Sequence, residues 1–134
     1  IDDLWITPNK EIIVVDYKST AVNREVTLDE EWKAVYKRQM EVYQWLLKQN
    51  NFKVSNTGYF VYANGQTDRE AFDGKLEFEV VILPYEGDTS WVESKLVEIR
   101  ECLESENIPA PSPNCEYCQY VSKREGLKSK QALF

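Results

Sequence analysis

The hydrophobic positions change period along the chain. Ile1 to Ile6 and Glu11 to Lys18 are dense in β-branched and aromatic residues, and Thr7-Pro8-Asn9-Lys10 separates them. Pro and Asn stand in turn-favouring places, so the two stretches predict a β-hairpin. Residues 19–26 are polar and read as a connection. The period then becomes helical. Leu28, Trp32, Val35, Tyr36, Gln39, Tyr43, Leu46 and Leu47 fall on one stripe. Thr27 and Glu30 have capping-box spacing, and Asn50-Asn51 supplies a stop. One long helix is expected from there to about Lys48. Thr57 to Ala63 predicts a third strand, closed by Asn64-Gly65. Lys75 to Leu83 alternates, with Leu76, Phe78, Val80 and Ile82 expected inward and Glu77 and Glu79 outward. Ser90 and Glu93 form a second capping pair, and Val92, Leu96, Ile99 and Leu103 form the stripe of a second helix. Pro109, Pro111 and Pro113 make a stiff extended linker leading to Cys115-Glu116-Tyr117-Cys118.

Hairpin, helix, two strands and helix predict an α/β arrangement around one sheet. The 134 residues suffice for one modest core. The expected division is a core over 1–107, followed over 108–134 by the Pro-rich linker, the C-x2-C segment and a basic tail. Strand-like sequence begins at Ile1 itself, so an element preceding it in the fold is expected to be missing. No apolar run is long enough to cross a membrane, and no secretory signal pattern is visible. Three cysteines, an odd number, argue against a disulfide framework and for a reducing compartment such as the cytoplasm.

A net charge of −7 is unfavourable for a protein that meets nucleic acid, but it is unevenly spread. Residues 1–67 carry nine acids and eight bases, whereas residues 68–134 carry fourteen acids and eight bases. The excess lies around Glu77, Glu79, Glu86, Asp88, Glu98, Glu101, Glu104 and Glu106. The tail residues Lys123, Arg124, Lys128 and Lys130 read as a solvated, partly frayed end.

The candidate chemistry sits in the nearly neutral half. The apolar run Ile13-Val14-Val15 ends in Asp16-Tyr17-Lys18. Strand alternation puts Asp16 and Lys18 on one face. An acid and a base at the end of a buried strand are costly unless they hold something. Asp2 lies near the other strand end of the hairpin, within reach of the same point. Hard carboxylate oxygens suit Mg2+ or Mn2+, which can activate a water and polarise a phosphoryl oxygen. Lys18 would face the charge that develops on phosphorus. An ordinary ion pair at a strand end is the competing interpretation. Gln39 and Tyr43, four residues apart, project side by side from the helix. A buried Gln bonded to backbone, beside a core Tyr, would have the same spacing.

Asp2, the run Ile13-Val14-Val15-Asp16-Tyr17-Lys18-Ser19-Thr20 and Gln39-x-x-x-Tyr43 occur in an order and spacing that resemble the PD-(D/E)XK nuclease superfamily. The RecB-like exonuclease branch, related to CRISPR-adaptation nucleases, is the most similar. The resemblance spans about residues 1–120. It implies a restriction-endonuclease-like α/β fold, a mixed sheet flanked by helices, here lacking its first helix. It implies a Mg2+- or Mn2+-dependent deoxyribonuclease, an exonuclease acting in DNA repair, recombination or defence. Asp2 and Asp16 would be metal ligands, joined by the Tyr17 carbonyl, and Asp3 is the alternative to Asp2. Lys18 would be the catalytic lysine. Gln39 and Tyr43 would orient the site and contact DNA, and Arg24 and Arg38 are expected to contact the DNA backbone. Lys33 and Lys37 are expected on a solvated helix face.

The resemblance implies DNA as the partner, with a helicase or another recombination or repair protein beside it and no membrane. The same fold could instead serve as an inactive DNA-binding or scaffolding domain of a larger protein. Some relatives hold an iron–sulfur cluster through one early and three late cysteines. Cys115 and Cys118 match two of the late set, but the next would fall near Arg124. Two thiolates complete neither a cluster nor a zinc site, so no cluster is expected.

Overall fold

The computed structural model describes residues 1–68, 70 and 74–131. The chain divides into two compact units, Ile1–Lys95 and Leu96–Phe134. The first unit holds a four-stranded mixed sheet in the order β1-β2-β3-β4. β1 (Asp3–Ile6) and β2 (Ile12–Thr20) form the expected antiparallel hairpin. Its turn is closed by Lys10 N–H donating to Thr7 O at 2.9 Å, with Lys10 at φ 59°. β2 pairs in parallel with β3 (Thr57–Gly65). Parallel neighbours need a crossover, and α1 (Ala34–Gln49) lies in that connection. β4 (Phe78–Glu86) closes the sheet antiparallel to β3. α2 spans Val92–Glu104, and α3 spans Glu116–Gln131 in the second unit. The tail read as a frayed end is therefore helical in backbone. Its Lys128 and Lys130 side chains lie outside the described residues.

The core forms between α1 and one face of the sheet. Val14, Val26, Met40, Phe60 and Tyr62 are its buried cluster, with Tyr36, Tyr43, Leu47, Val81, Leu83 and Tyr85 packed around it. α1 comes so close to β3 at Gly58 that a Cβ there would stand 2.5 Å from Met40 Sδ. A side chain at 58 would have to displace the Met40 thioether.

Four expectations change. The first helix starts later than predicted. Residues 31–33 form a 3-10 turn, and Glu30 carries no side-chain cap. Its carboxylate is instead held by Lys33 and Arg24. The stripe is also rotated. Met40, Glu41 and Gln44 are buried on α1, whereas Trp32, Val35 and Leu46 are exposed. The third change concerns β4, which is displaced toward the C-terminus and has its faces exchanged. Phe60 and Tyr62 point into the core, so their ladder partners Leu83 and Val81 do too. Leu76, Phe78, Val80 and Ile82 are exposed. Both alternating sets of β4 are apolar, but only the inward one brings the Tyr85 phenol to Glu41. The second capping box is likewise not built as expected. The Ser90 N–H goes to the Asp88 carboxylate at 2.9 Å.

Candidate active site

β2 carries its helix-facing side chains at alternate positions. Val14 belongs to the core, Asp16 is 2% exposed, and Lys18 follows. The apolar run thus drives a carboxylate into the interior at the strand's far half. Lys18 Nζ forms an ion pair with Asp16 Oδ2. The pair lies off hydrogen-bond angles, and Asp16 Oδ2 accepts no hydrogen bond. A carboxylate oxygen served by one ammonium alone keeps acceptor capacity for a further ligand.

Lys18 is fixed from two further sides. Its Nζ donates to Gln39 Oε1 at 3.2 Å and lies 4.5 Å from the centre of the Tyr36 ring. Gln39 Nε2 then donates to Tyr43 Oη at 2.8 Å. Lysine offers only donors, so the Gln39 amide can face it in one orientation alone. Tyr43, having accepted from Gln39, keeps its own O–H to donate. Asp16, Lys18, Gln39 and Tyr43 therefore form one continuous chain of polar contacts from β2 to α1. The geometry brings these four predicted residues together.

Asp2 is exposed and stands just ahead of β1. The ladder pairs Asp3 with Val15, and one step beyond it Asp2 falls opposite Asp16, on the same face. Asp2 Oδ2 accepts the Tyr17 N–H at 2.9 Å. Asp3 points elsewhere. It accepts from Tyr17 Oη at 2.8 Å, Leu4 N–H at 2.8 Å and Trp5 Nε1 at 3.3 Å. The Tyr17 hydrogen bond, foremost, holds the Asp3 carboxyl below its ordinary value, and the same bond raises the Tyr17 phenol. Among the described residues, no group of three or more His, Cys, Asp or Glu is arranged to hold a metal ion.

The expected phosphate contacts are engaged within the protein. Arg24 pairs with Glu30. Arg38 is exposed, and its Nε donates to Ala34 O at 3.3 Å. Lys33 is not on a solvated face. It is 5% exposed, donates to Thr27 O at 2.6 Å and pairs with Glu30 at 3.0 Å. Lys37 Nζ lies 5.8 Å from the Tyr85 ring centre.

Sequence reasoning missed a second buried carboxylate. Glu41, 7% exposed, accepts from Tyr85 Oη at 2.6 Å, Trp91 Nε1 at 2.7 Å and Asp88 N–H at 3.2 Å. Its neighbour Gln44 donates to Ser55 O and Asn56 O. All three donors to Glu41 are more than forty residues away in sequence, so no local spacing announces it. Asn64 was missed likewise. Its amide clamps Val22 by donating to the carbonyl and accepting the N–H.

The sequence model of the PD-(D/E)XK nuclease superfamily matches residues 1–122. The chain belongs to this superfamily. Comparison with curated proteins gives no match, nor does comparison with solved structures. As a PD-(D/E)XK protein, it has the α/β restriction-endonuclease-like fold that its motifs implied. The superfamily is one of nucleases that generally use divalent metals. Among the described residues, no helix is long and apolar enough to cross a membrane.

In the second unit, Cys115 and Cys118 flank the start of α3, and Cys118 N–H donates to Cys115 Sγ at 3.4 Å. That bond holds the Cys115 thiol below its ordinary value, while the side-chain bond between the two raises Cys118. Cys102 is exposed on α2, and all three are free thiols.

Proposed function

We propose that this chain is a metal-dependent deoxyribonuclease of the RecB-like exonuclease type, with its catalytic centre at Asp16 and Lys18. The observation that carries this is the chain from Asp16 through Lys18 and Gln39 to Tyr43. A core ion pair would be saturated by backbone and side-chain donors. Here the buried Asp16 oxygen accepts no hydrogen bond, and the lysine is steered by an amide from a helix. Gln39 and Tyr43 in one contact on α1 support the RecB-like type.

Asp2 and Asp16 are hard oxygen donors of the kind that Mg2+ or Mn2+ selects. The open acceptor on Asp16 fits such an ion, and the Tyr17 carbonyl is the candidate third oxygen. When bound, the ion supplies Lewis-acid stabilisation and lowers the pKa of a water. The protein's own groups do the rest. Gln39 and the Tyr36 ring hold the Lys18 ammonium toward the scissile phosphate, where it offsets developing negative charge. Tyr43 has an O–H free to donate to a phosphate oxygen. Arg38 is exposed for backbone contact, and Arg24 can share its remaining donors with DNA. DNA is the substrate, a helicase or other repair protein the natural companion, and free thiols suit the cytoplasm.

The test is incubation with single- and double-stranded DNA and Mn2+, comparing wild type with Asp16→Ala and Lys18→Ala. Cleavage should vanish in both variants. Undiminished cleavage in both would move the reaction elsewhere. One observation favours a second function, a DNA-binding or scaffolding domain: no three-residue metal cluster is present among the described residues. DNA binding by a wild-type chain that cleaves nothing would select it.

A further inference from the structure

Beside Lys18, and separate from the Asp16 contacts, a cavity of about 60 Å³ opens between β2, β3 and the 3-10 turn. Its walls include Thr20, Arg24, Trp32, Lys33, Tyr36 and Tyr62. Two features distinguish it from a packing void. First, two cations, Arg24 and Lys33, line it together with the acids Glu25 and Glu30. Glu30 bridges Arg24 and Lys33, one to each carboxylate oxygen, so two cations are held by one acid. Lys33 has two acceptors for three N–H donors, and Arg24 keeps several donors unspent. Second, the Tyr62 hydroxyl has no hydrogen-bond partner although the residue is 2% exposed. A buried hydroxyl left without a partner is costly, and a ligand oxygen that reached it would satisfy it.

The cavity is also placed along the strand that carries the site. Tyr62 is the ladder partner of Lys18, and Thr20 follows two residues on. Two residues of strand span about 6.6 Å, comparable to the step between successive phosphates of an extended single strand. The Tyr36 ring is a wall of the cavity and also covers Lys18. At about 30 Å³ of liquid volume per water, the space takes roughly two waters. That admits the oxygens of a phosphate group but not a base. A base would remain outside, where Trp32 is 58% exposed and set edge-on against Tyr36.

We propose that this cavity is a phosphate subsite for the nucleotide next to the scissile one, with Tyr62, Lys33 and Arg24 as donors and Trp32 as the stacking surface for its base. The proposal rests on the nuclease function above. Tyr62 and Trp32 act here on a neighbouring nucleotide and not on the reacting phosphorus. The shared chemistry is a phosphate oxygen, which could come from a DNA backbone or from free inorganic phosphate.

The test is binding of a short fluorescent single-stranded oligonucleotide to the full chain in chelator, without cleavage. Competitors are inorganic phosphate, a mononucleotide and the same oligonucleotide with abasic positions. Tyr62→Phe deletes one O–H, and Arg24→Ala and Trp32→Ala change exposed groups, so folding is retained; circular dichroism confirms it. Tyr62→Phe and Arg24→Ala should each weaken binding about threefold to tenfold. Trp32→Ala should weaken the intact oligonucleotide by a similar factor, and the abasic one not at all. Competition by the mononucleotide well beyond inorganic phosphate identifies a nucleotide site; competition by inorganic phosphate alone, equal in wild type and variants, overturns it. Wild-type affinity in Tyr62→Phe and Arg24→Ala also overturns the subsite. If cleavage still depends on Asp16 and Lys18, the nuclease function stands in that case. Conversely, weakened binding in these variants with no cleavage by wild type would uphold the subsite and reject the nuclease function.

Discussion

Two carboxylates are buried between α1 and the sheet, Glu41 on the helix and Asp16 on β2, and they are treated in opposite ways. Glu41 receives three neutral donors from Tyr85, Asp88 and Trp91. Asp16 receives a lysine and no hydrogen bond. Full satisfaction is how a protein makes a buried acid structural, because each donor repays part of the desolvation. Glu41 ties β4, the following loop and the approach to α2 onto α1. At Asp16 the fold has spent burial without completing the hydrogen bonds, and it has steered the lysine with Gln39. Unfinished polar chemistry beside a held cation is what a site for an external ligand requires. Glu41 and Gln39 share α1, so the saturated end fixes the helix that the open end uses.

The largest expected effect separates the two acids by what each one breaks. Asp16→Asn should lower cleavage about a thousandfold or more while leaving the urea midpoint close to wild type. Glu41→Ala should do the reverse in kind. It strands two side-chain donors and one backbone donor, and should cost about 3 kcal/mol or more of stability by urea unfolding. The folded fraction should keep much of its rate per molecule. If Asp16→Asn proved the more destabilising, the assignment of roles would be exchanged.

Lys18→Met should come next, lowering kcat about a hundredfold, with DNA binding in chelator reduced far less. Gln39→Leu should give a smaller loss, about tenfold in cleavage, because the lysine keeps Asp16 and the Tyr36 ring while losing its amide. A Gln39→Leu loss as large as that of Lys18→Met would mean that the amide itself touches the substrate.

The smallest effect concerns alkaline pH. Burial, foremost, pushes the Tyr62 phenol up to about 12 from an ordinary 10, and burial together with Glu41 also raises Tyr85. Between pH 10 and about 12 the unfolded chain loses the Tyr62 proton while the folded one keeps it. The unfolded state then binds fewer protons, so stability falls as pH rises across that window and is fully present below it. Urea midpoints at pH 9 and 11 should show this fall. It should be shallower in Tyr62→Phe, with the remainder carried by Tyr85.

The legible part of this protein was local. Alternation in Ile13-Val14-Val15-Asp16-Tyr17-Lys18 placed the acid and lysine on one face, and a four-residue separation of Gln39 from Tyr43 placed both on one side of α1. Those short-range rules hold whatever packs nearby. The hairpin turn at Thr7–Lys10 was equally local. What was hidden depended on distant partners. Glu41 carried no local signal because its donors lie more than forty residues on. The two apolar sets of β4 could not be ranked until Phe60 and Tyr62 chose the inward one. Lys33 looked solvated until Glu30 and Thr27 drew it inside. The start of α1 was misplaced for the same reason, since Glu30 serves two cations instead of capping a helix.

The central claim is that the open acid at Asp16 and the lysine beside it hydrolyse DNA with a divalent metal. Its most direct test is cleavage of a labelled oligonucleotide as Mn2+ is titrated, for wild type, Asp16→Asn and Glu41→Gln at equal folded concentration. Metal-dependent cleavage in wild type and in Glu41→Gln, with none in Asp16→Asn at any metal concentration, is the predicted result. Equal cleavage by Asp16→Asn and wild type across the titration would contradict it.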